Sequence, residues 1–140
     1  MAKGLFYLSG PHKGTEEQEE YRVKMSLKVT AKFLAHGIHV FSPIVYGKQI
    51  SGALNFRTLE ERREFMMAYL FEFLEVSKGM IILAMDGWEN SWGLSQEVKY
   101  CQKNQIPIYK MEMNQLLVDP KIILSRPLER TQIRELLSAA

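Results

Sequence analysis

The chain has 140 residues, of which 46% are hydrophobic and 24% are charged, so its composition excludes the collagen-like, disordered and coiled-coil classes. Eighteen basic and 16 acidic residues give a net charge of +2, which is too balanced to favour nonspecific binding to a nucleic acid polymer. A chain of this length is expected to form one domain, residues 1–140. Because Cys101 is the single cysteine, that domain must fold without an intrachain disulfide.

Sequence features that would indicate a membrane, a metal or a cofactor are missing. No stretch approaches the roughly 20 apolar residues of a membrane span, and residues 1–8 lack the pattern of a secretory signal. The sequence therefore predicts a cytoplasmic protein with no membrane partner. His12, His36 and His39 do not have metal-ligand spacing. Residues 9–15 lack the Gly-Lys-Ser/Thr ending of a Walker A loop, so we expect neither metal nor cofactor.

The first helix of the chain is the most clearly marked element. Residues 4–8 form a short apolar strand that ends in a turn. Thr15 and Gln18 have capping-box spacing and predict a helix that ends near Gly37. Apolar residues four apart predict its buried face: Tyr21, Met25, Val29 and Phe33.

A long connection separates the second strand from the second long helix. Residues 38–41 predict a strand that Ser42 and Pro43 end, and a loop of about fifteen residues, with Gly47 and Gly52, follows. A second capping box at Thr58 predicts a helix that runs to about Ser77. Its expected apolar stripe consists of Phe65, Tyr69, Phe73 and Val76.

The rest of the chain continues the alternation of strands and helices. In chain order, the pattern predicts a buried central strand at 80–85, a turn at 86–90, a helix at 92–104, a strand at 106–109, a possible fifth strand at 122–124 and a helix at 127–139. This alternation indicates an α/β protein with a parallel sheet between helices. We expect a flavodoxin- or Rossmann-like three-layer sandwich with four or five parallel strands. Ligands bind such folds at the carboxyl ends of the strands, where residues 9–11, 41–43 and 86–93 should meet.

Glu97 is the most informative carboxylate. It lies about one and a half turns into the third helix, at the border of the buried stripe, and its side chain leans toward position 93. That position is Gly93, so no side chain fills the space above the carboxylate. A ligand site is one interpretation; a boundary glutamate beside a loosely packed glycine is the other.

Three other residues also have two interpretations. Ser91 is a preferred helix cap, but its hydroxyl and the first-turn amides could also hold an anion. Tyr7 is either a core tyrosine or a hydroxyl that orients a carboxylate. Arg22 is either an exposed arginine paired with Gln18 or Ser26, or a phosphate ligand.

Two tryptophans flank the predicted turn at 86–90, and two further aromatic residues lie on the predicted long loop. Trp88, Trp92, Tyr46 and Phe56 could stack on a planar base, or they could be lid or dimer-interface hydrophobes. Cys101 lies on an apolar helix face and is expected in the core.

Several segments resemble the nucleoside 2-deoxyribosyltransferase-like proteins. Tyr7–Pro11 is similar to their opening motif, Gly37–Ile44 to their second strand, and Asp86–Glu97 to their catalytic segment. Ile106–Ile108 follows where that family has its fourth strand. The resemblance covers about residues 4–111 and is greatest to a small, mostly uncharacterised branch.

The resemblance implies roles for individual residues. Glu97 matches the nucleophile that attacks the anomeric carbon and forms a glycosyl-enzyme, and Tyr7 matches the tyrosine that positions it. Ser91 matches the serine of related N-glycosidases that act on nucleoside 5′-monophosphates, where transferases acting on free nucleosides often have an aspartate. Ser9 and Arg22 could complete a phosphate pocket. The expected substrate-binding set is Ser9, Gly10, Pro11, Arg22, Pro43, Trp88, Ser91 and Gly93.

This chain departs from the pattern of the family at one position that bears on the leaving base. Relatives often carry an aspartate where this chain has Leu70, and Glu72 or Glu75 could replace it only in another register. The first candidate for a general acid is Asp86 and the second is Glu89.

The expected function is an N-glycosidase or deoxyribosyltransferase that acts on nucleoside 5′-monophosphates or nucleosides. The alternative is a nucleotide-binding sensor or sequestering module without turnover, which the absent aspartate at position 70 motivates. The resemblance also implies a homodimer or higher homo-oligomer.

Overall fold

The structure is a computed structural model that describes residues 4–139, so residues 1–3 and 140 of the predicted domain lie outside the described residues. Short 3₁₀ turns occur at Trp88–Asn90 and Met113–Gln115. The strands are β1 (Leu5–Ser9), β2 (Val40–Phe41), β3 (Ser77–Ala84) and β4 (Ile108–Glu112). The helices are α1 (Glu16–Ala35), α2 (Pro43–Ser51), α3 (Leu59–Glu75), α4 (Trp92–Lys103), α5 (Pro120–Ile123) and α6 (Arg130–Ala139).

Among the described residues, the four strands form one parallel sheet in the order β2-β1-β3-β4. Tyr7 of β1 is in register with Phe41 of β2 and with Met80 of β3, and Met80 is in register with Ile108 of β4. Because consecutive parallel strands need long crossovers, the helices cover the faces of the sheet. This arrangement confirms the predicted α/β fold with a Rossmann- or flavodoxin-like sandwich.

Each face of the sheet has its own apolar core. Alternate residues of a strand point to opposite faces, so Phe6 and Leu8 face one layer, whereas Tyr7 faces the other. The first core packs the sheet against α1 and contains Val29 and Phe33. The second core packs it against α3 and α4 and contains Leu70, Leu74, Leu94, Val98 and the buried Cys101, as predicted for that cysteine.

Two sequence predictions of backbone structure are wrong. The predicted loop after Ser42 contains α2, in which the Ser42 hydroxyl accepts from Val45 N at 3.3 Å and Pro43 occupies the first turn. The possible fifth strand at 122–124 is instead the end of the short helix α5 and the turn that follows it, with Asp119 as its cap and Pro120 in its first turn.

Two predicted helix faces are also partly wrong. Tyr21 of α1 is 50% exposed, and the buried face of that helix begins at Arg22 instead. Phe65 of α3 and Val76, which follows the helix, are exposed, whereas Leu70 and Leu74 of α3 are buried. The aromatic residues Tyr69 and Phe73 of α3 therefore pack at the border of the second core, and the two leucines are buried within it.

The C-terminal segment covers one edge of the sheet. Leu128 N donates a hydrogen bond to Ile108 O of the outer strand β4 at 2.6 Å. Leu128, Ile133, Leu136 and Leu137 pack against the core beside α4. Within residues 4–139, no helix combines the length and apolar character that crossing a membrane requires.

Candidate active site

Glu97 is bound by two hydroxyl groups of β1. The Tyr7 hydroxyl donates to Glu97 Oε2, and the Ser9 hydroxyl donates to Glu97 Oε1 at 2.6 Å. Tyr7 and Ser9 are two positions apart, so both side chains leave β1 on the face that α4 covers. Both carboxylate oxygens of Glu97 thus accept hydrogen bonds from the end of one strand.

The start of α4 positions Glu97 at the buried side of the helix. Ser91 is the N-cap, as predicted, and its hydroxyl accepts a hydrogen bond from Leu94 N at 3.3 Å. Leu94, Glu97, Val98 and Cys101 follow the three- and four-residue spacing of one helix face, and all four are buried. Because Glu97 belongs to this buried face of α4, its side chain lies against the sheet rather than in solvent.

Burial determines the proton affinity of the site. Desolvation raises the pKa of Glu97 from 4.5 to about 7, and the hydrogen bonds from Ser9 and Tyr7 oppose that increase because they favour the charged form. Burial, together with the nearby Glu97 carboxylate, also raises the pKa of Tyr7 well above its ordinary value. At neutral pH, Tyr7 is therefore a proton donor, and Glu97 exchanges between its two protonation states.

Glu97 lines a cavity of about 470 Å³ at the carboxyl ends of the strands. This volume lies within the range of about 300–1,000 Å³ that is typical of small-molecule sites. Seven of the predicted site residues line it: Gly10, Pro11, Arg22, Pro43, Ser91, Gly93 and Glu97. Tyr7 and Ser9 lie behind Glu97, which they contact from the core side.

Gly93 leaves open space in the wall of this cavity. A Cβ atom at Gly93 would meet only the terminal methyl group of Met67, at 4.0 Å. Such a distance is ordinary van der Waals contact, so the glycine is not required by packing in the folded chain. The sequence argument that position 93 leaves room beside Glu97 agrees with this geometry.

Arg22 is buried beside the same cavity, which excludes the exposed arginine considered from sequence. Its Nη1 donates to Lys13 O at 2.7 Å and His12 O at 3.4 Å, and its Nη2 donates to Asp86 O at 2.6 Å. The guanidinium thus joins the loops that follow β1 and β3. Among the described residues, it has no carboxylate partner within ion-pair distance.

The cavity wall is strongly cationic. Lys13, Arg22, Arg62 and Arg63 line it, whereas Glu97 is the one carboxylate among its described lining residues. Arg63 lies over the ring of Trp92, with its guanidinium carbon 4.4 Å from the ring centre. Lys13, Arg62 and Arg63 were not predicted as site residues, because charges at a helix start or in a loop have no sequence pattern that distinguishes a cavity from solvent.

Several predicted residues lie outside this cavity. Asp86 is exposed and, together with Arg22, lines another depression. Trp88 and Glu89 line a separate cavity of about 260 Å³ between α4 and α6. Tyr46 belongs to an aromatic row with Tyr69, at 6.3 Å between ring centres. Phe56 packs against Phe65 at 5.3 Å.

Two further features limit the chemistry of the site. Leu70, where related proteins often have an aspartate, lines the cavity and adds no carboxylate. Within the described part of the chain, no group of three or more His, Cys, Asp or Glu side chains is arranged to hold a metal ion. What the arrangement offers is a hydrogen-bonded carboxylate facing a cationic, ligand-sized cavity.

Comparison with known families adds a name for the domain and no activity. A family model described as "Domain of unknown function (DUF1937)" matches residues 4–113. This range includes β1 to β4 and every residue that lines the Glu97 cavity. A search of curated proteins finds no match.

Proposed function

Because the chain belongs to the DUF1937 family, whose function is unknown, we propose its activity from its own residues: cleavage of the N-glycosidic bond of nucleoside 5′-monophosphates or nucleosides, by hydrolysis or by transfer to a second base. The observation that carries this proposal is the buried Glu97 carboxylate, which faces the cavity and accepts hydrogen bonds from Tyr7 and Ser9.

The first step of the proposed reaction is a displacement at the sugar. An oxygen of ionised Glu97 attacks C1′, the C1′–N bond breaks, and its electron pair leaves with the base. Hydrogen bonds from Tyr7 and Ser9 support the ionised carboxylate and fix its orientation. In the second step, water or another base attacks C1′ and releases the Glu97 carboxylate.

Charge in the cavity supports a phosphorylated substrate. A 5′-phosphate carries up to two negative charges, and four cationic side chains line the cavity against one carboxylate. Ser91 and the first amides of α4 offer hydrogen-bond donors on the same wall. The serine adds no charge there, whereas an aspartate would repel the phosphate.

The test is the release of free base. We expect purified protein, incubated with a panel of deoxynucleoside 5′-monophosphates and nucleosides, to release base that chromatography detects. The Glu97→Ala variant should lose this activity, and the exposed Glu20→Gln variant should retain it. Base release that persists in Glu97→Ala would exclude Glu97 as the nucleophile.

One observation favours a second candidate, nucleotide binding without turnover. Leu70 and the other apolar residues of the wall provide no second carboxylate to protonate a leaving base. Calorimetry that detects tight nucleotide binding, together with no product after long incubation, would support this alternative. The homo-oligomeric state and the cytoplasmic location stay predictions, of which light scattering tests the first.

A further inference from the structure

The proposed reaction needs a proton donor for the leaving base. A purine or pyrimidine leaves readily when its ring nitrogen or oxygen is protonated as the C1′–N bond breaks. The two acids considered from sequence, Asp86 and Glu89, line other depressions than the Glu97 cavity. Glu97 is committed to the attack on C1′. The donor must therefore be another group of the same cavity.

His12, which lines the Glu97 cavity, has a side-chain nitrogen without a hydrogen-bond partner among the described residues. Its Nε2 is inaccessible to solvent and makes no hydrogen bond with any described residue. Buried polar atoms in folded proteins nearly always have a partner, so an exception requires an explanation. His12 lines the Glu97 cavity, and a ligand there could provide the missing partner.

The backbone around His12 is fixed. Arg22 donates to the carbonyl groups of both His12 and Lys13, at 3.4 and 2.7 Å. Pro11, just before them, is buried. The loop thus holds the backbone of His12 at the cavity, and rotation about its side-chain bonds is what brings Nε2 to a bound ligand.

We propose that His12 is the general acid that protonates the leaving base, an inference that rests on the function proposed above. As Glu97 bonds to C1′ and the C1′–N bond breaks, the imidazolium Nε2 gives its proton to a ring nitrogen of the base, which leaves neutral. The imidazole then takes a proton from the water that attacks C1′. Each cycle returns Glu97 to its carboxylate form and His12 to its protonated form.

Electrostatics link this proton transfer to the charge of the substrate. In the empty cavity, the pKa of His12 is lowered from 6.5 to about 4, chiefly by burial and also by the nearby cations Lys13, Lys48 and Arg62. Glu19 acts in the opposite direction. A bound phosphate dianion offsets the three cations and therefore raises the pKa of His12 in the complex. A phosphorylated substrate thus favours the protonated acid.

The experiment compares two leaving bases in the 140-residue chain. One substrate is deoxyguanosine 5′-monophosphate, and the other is its 7-methyl derivative, whose base leaves neutral without receiving a proton. Rates of base release, corrected for spontaneous loss, are measured for wild type and His12→Gln. The control is His39→Gln, because His39 is an exposed histidine outside the cavity.

We expect His12→Gln to lower kcat for the unmethylated nucleotide by about 10²–10⁴-fold and to change kcat for the methylated one by less than about tenfold. Equal losses on both substrates, or no loss on either, would overturn the assignment of His12. A wild-type protein that releases no base from any nucleotide or nucleoside of the panel refutes the proposed function, and with it this inference. If the wild type cleaves only other members of the panel, an unchanged rate for them in His12→Gln overturns the assignment of His12. If His12→Gln does not fold by circular dichroism, His12→Asn is measured in the same way.

Discussion

The Tyr7 hydroxyl donates its hydrogen bond to Glu97, a residue 90 positions further along the chain. The bond joins the first strand of the sheet to the helix that follows the third strand. It forms because β1 and β3 are parallel neighbours, so that the end of β1 lies beside the start of α4. The fold thereby builds the candidate nucleophile and its donor from two distant segments.

Removing this donor should make Glu97 harder to ionise. The hydrogen bond from Tyr7 lowers the pKa of Glu97, so Tyr7→Phe should raise that pKa above about 7. We expect kcat to fall about 10–100-fold at pH 7 and the acidic limb of the pH–rate profile to move to higher pH. The exposed Tyr21→Phe serves as control. An unchanged acidic limb in Tyr7→Phe would contradict the assigned contact.

Glu97 should make the fold less stable as the pH rises. Its folded-state pKa of about 7 is above its ordinary value of 4.5, so the stability that protonation provides is complete below pH 4.5 and is lost as the pH rises through 7. Between pH 5 and pH 8, wild type should lose about 2–3 kcal/mol relative to Glu97→Gln, which has no such titration. Urea unfolding at both pH values measures the difference.

The same unfolding comparison has a matched control. Glu20→Gln replaces an exposed glutamate of α1 and should follow the wild-type dependence on pH. Parallel stability curves for wild type and Glu97→Gln would mean that the Glu97 carboxylate is solvated, and the buried site described above would then be wrong.

Position 91 should set the preference for a phosphate group. Aspartate and asparagine both cap helices as well as serine does, so neither variant should unfold α4. A carboxylate at position 91 repels a phosphate by about 3 kcal/mol at 5–6 Å in a partly screened site. We expect Ser91→Asp to lower kcat/KM for the monophosphate about 100-fold relative to the nucleoside, and Ser91→Asn to leave that ratio within about threefold. An unchanged ratio in Ser91→Asp would place the phosphate elsewhere.

Gly87 should be required for the contact of Arg22 with the loop after β3. Its φ is +88°, and a Cβ atom there would lie 2.8 Å from Arg22 Nη2. Gly87→Ala should therefore cost about 2 kcal/mol or more of unfolding free energy. Gly52→Ala is the control, since Gly52 has a helical φ of −69° and its nearest neighbour would be 3.7 Å away. Denaturant unfolding that ranks the two variants equally would contradict this account.

Patterns within short segments predicted most of the fold. The capping box of Thr15 with Gln18 and the continuous apolar run of β3 depend on neighbouring residues alone, and both are present in the structure. Two elements were predicted wrongly: Ser42-Pro43 was predicted only to end a strand, and the apolar run 122–124 was predicted as a possible strand. In both, a capping side chain followed by proline begins a helix.

The candidate site was predictable only in part. Glu97, Ser91 and Gly93 lie on one helix, so their mutual spacing follows from the sequence. Arg22 and His12 depend on loops that come together in three dimensions, since Arg22 is buried through carbonyl groups of residues 9, 10 and 64 positions away. Neither contact has a signal in the local sequence.

The segment that covers the β4 edge has a practical consequence for work on this family. A recombinant fragment trimmed to the family match, residues 4–113, would lose Leu128 and the backbone hydrogen bond that it donates to Ile108. It would also uncover the apolar surface on which α6 packs. An unpaired strand beside exposed leucine contacts is a template for self-association, so such a fragment should aggregate, and expression should retain the chain through α6.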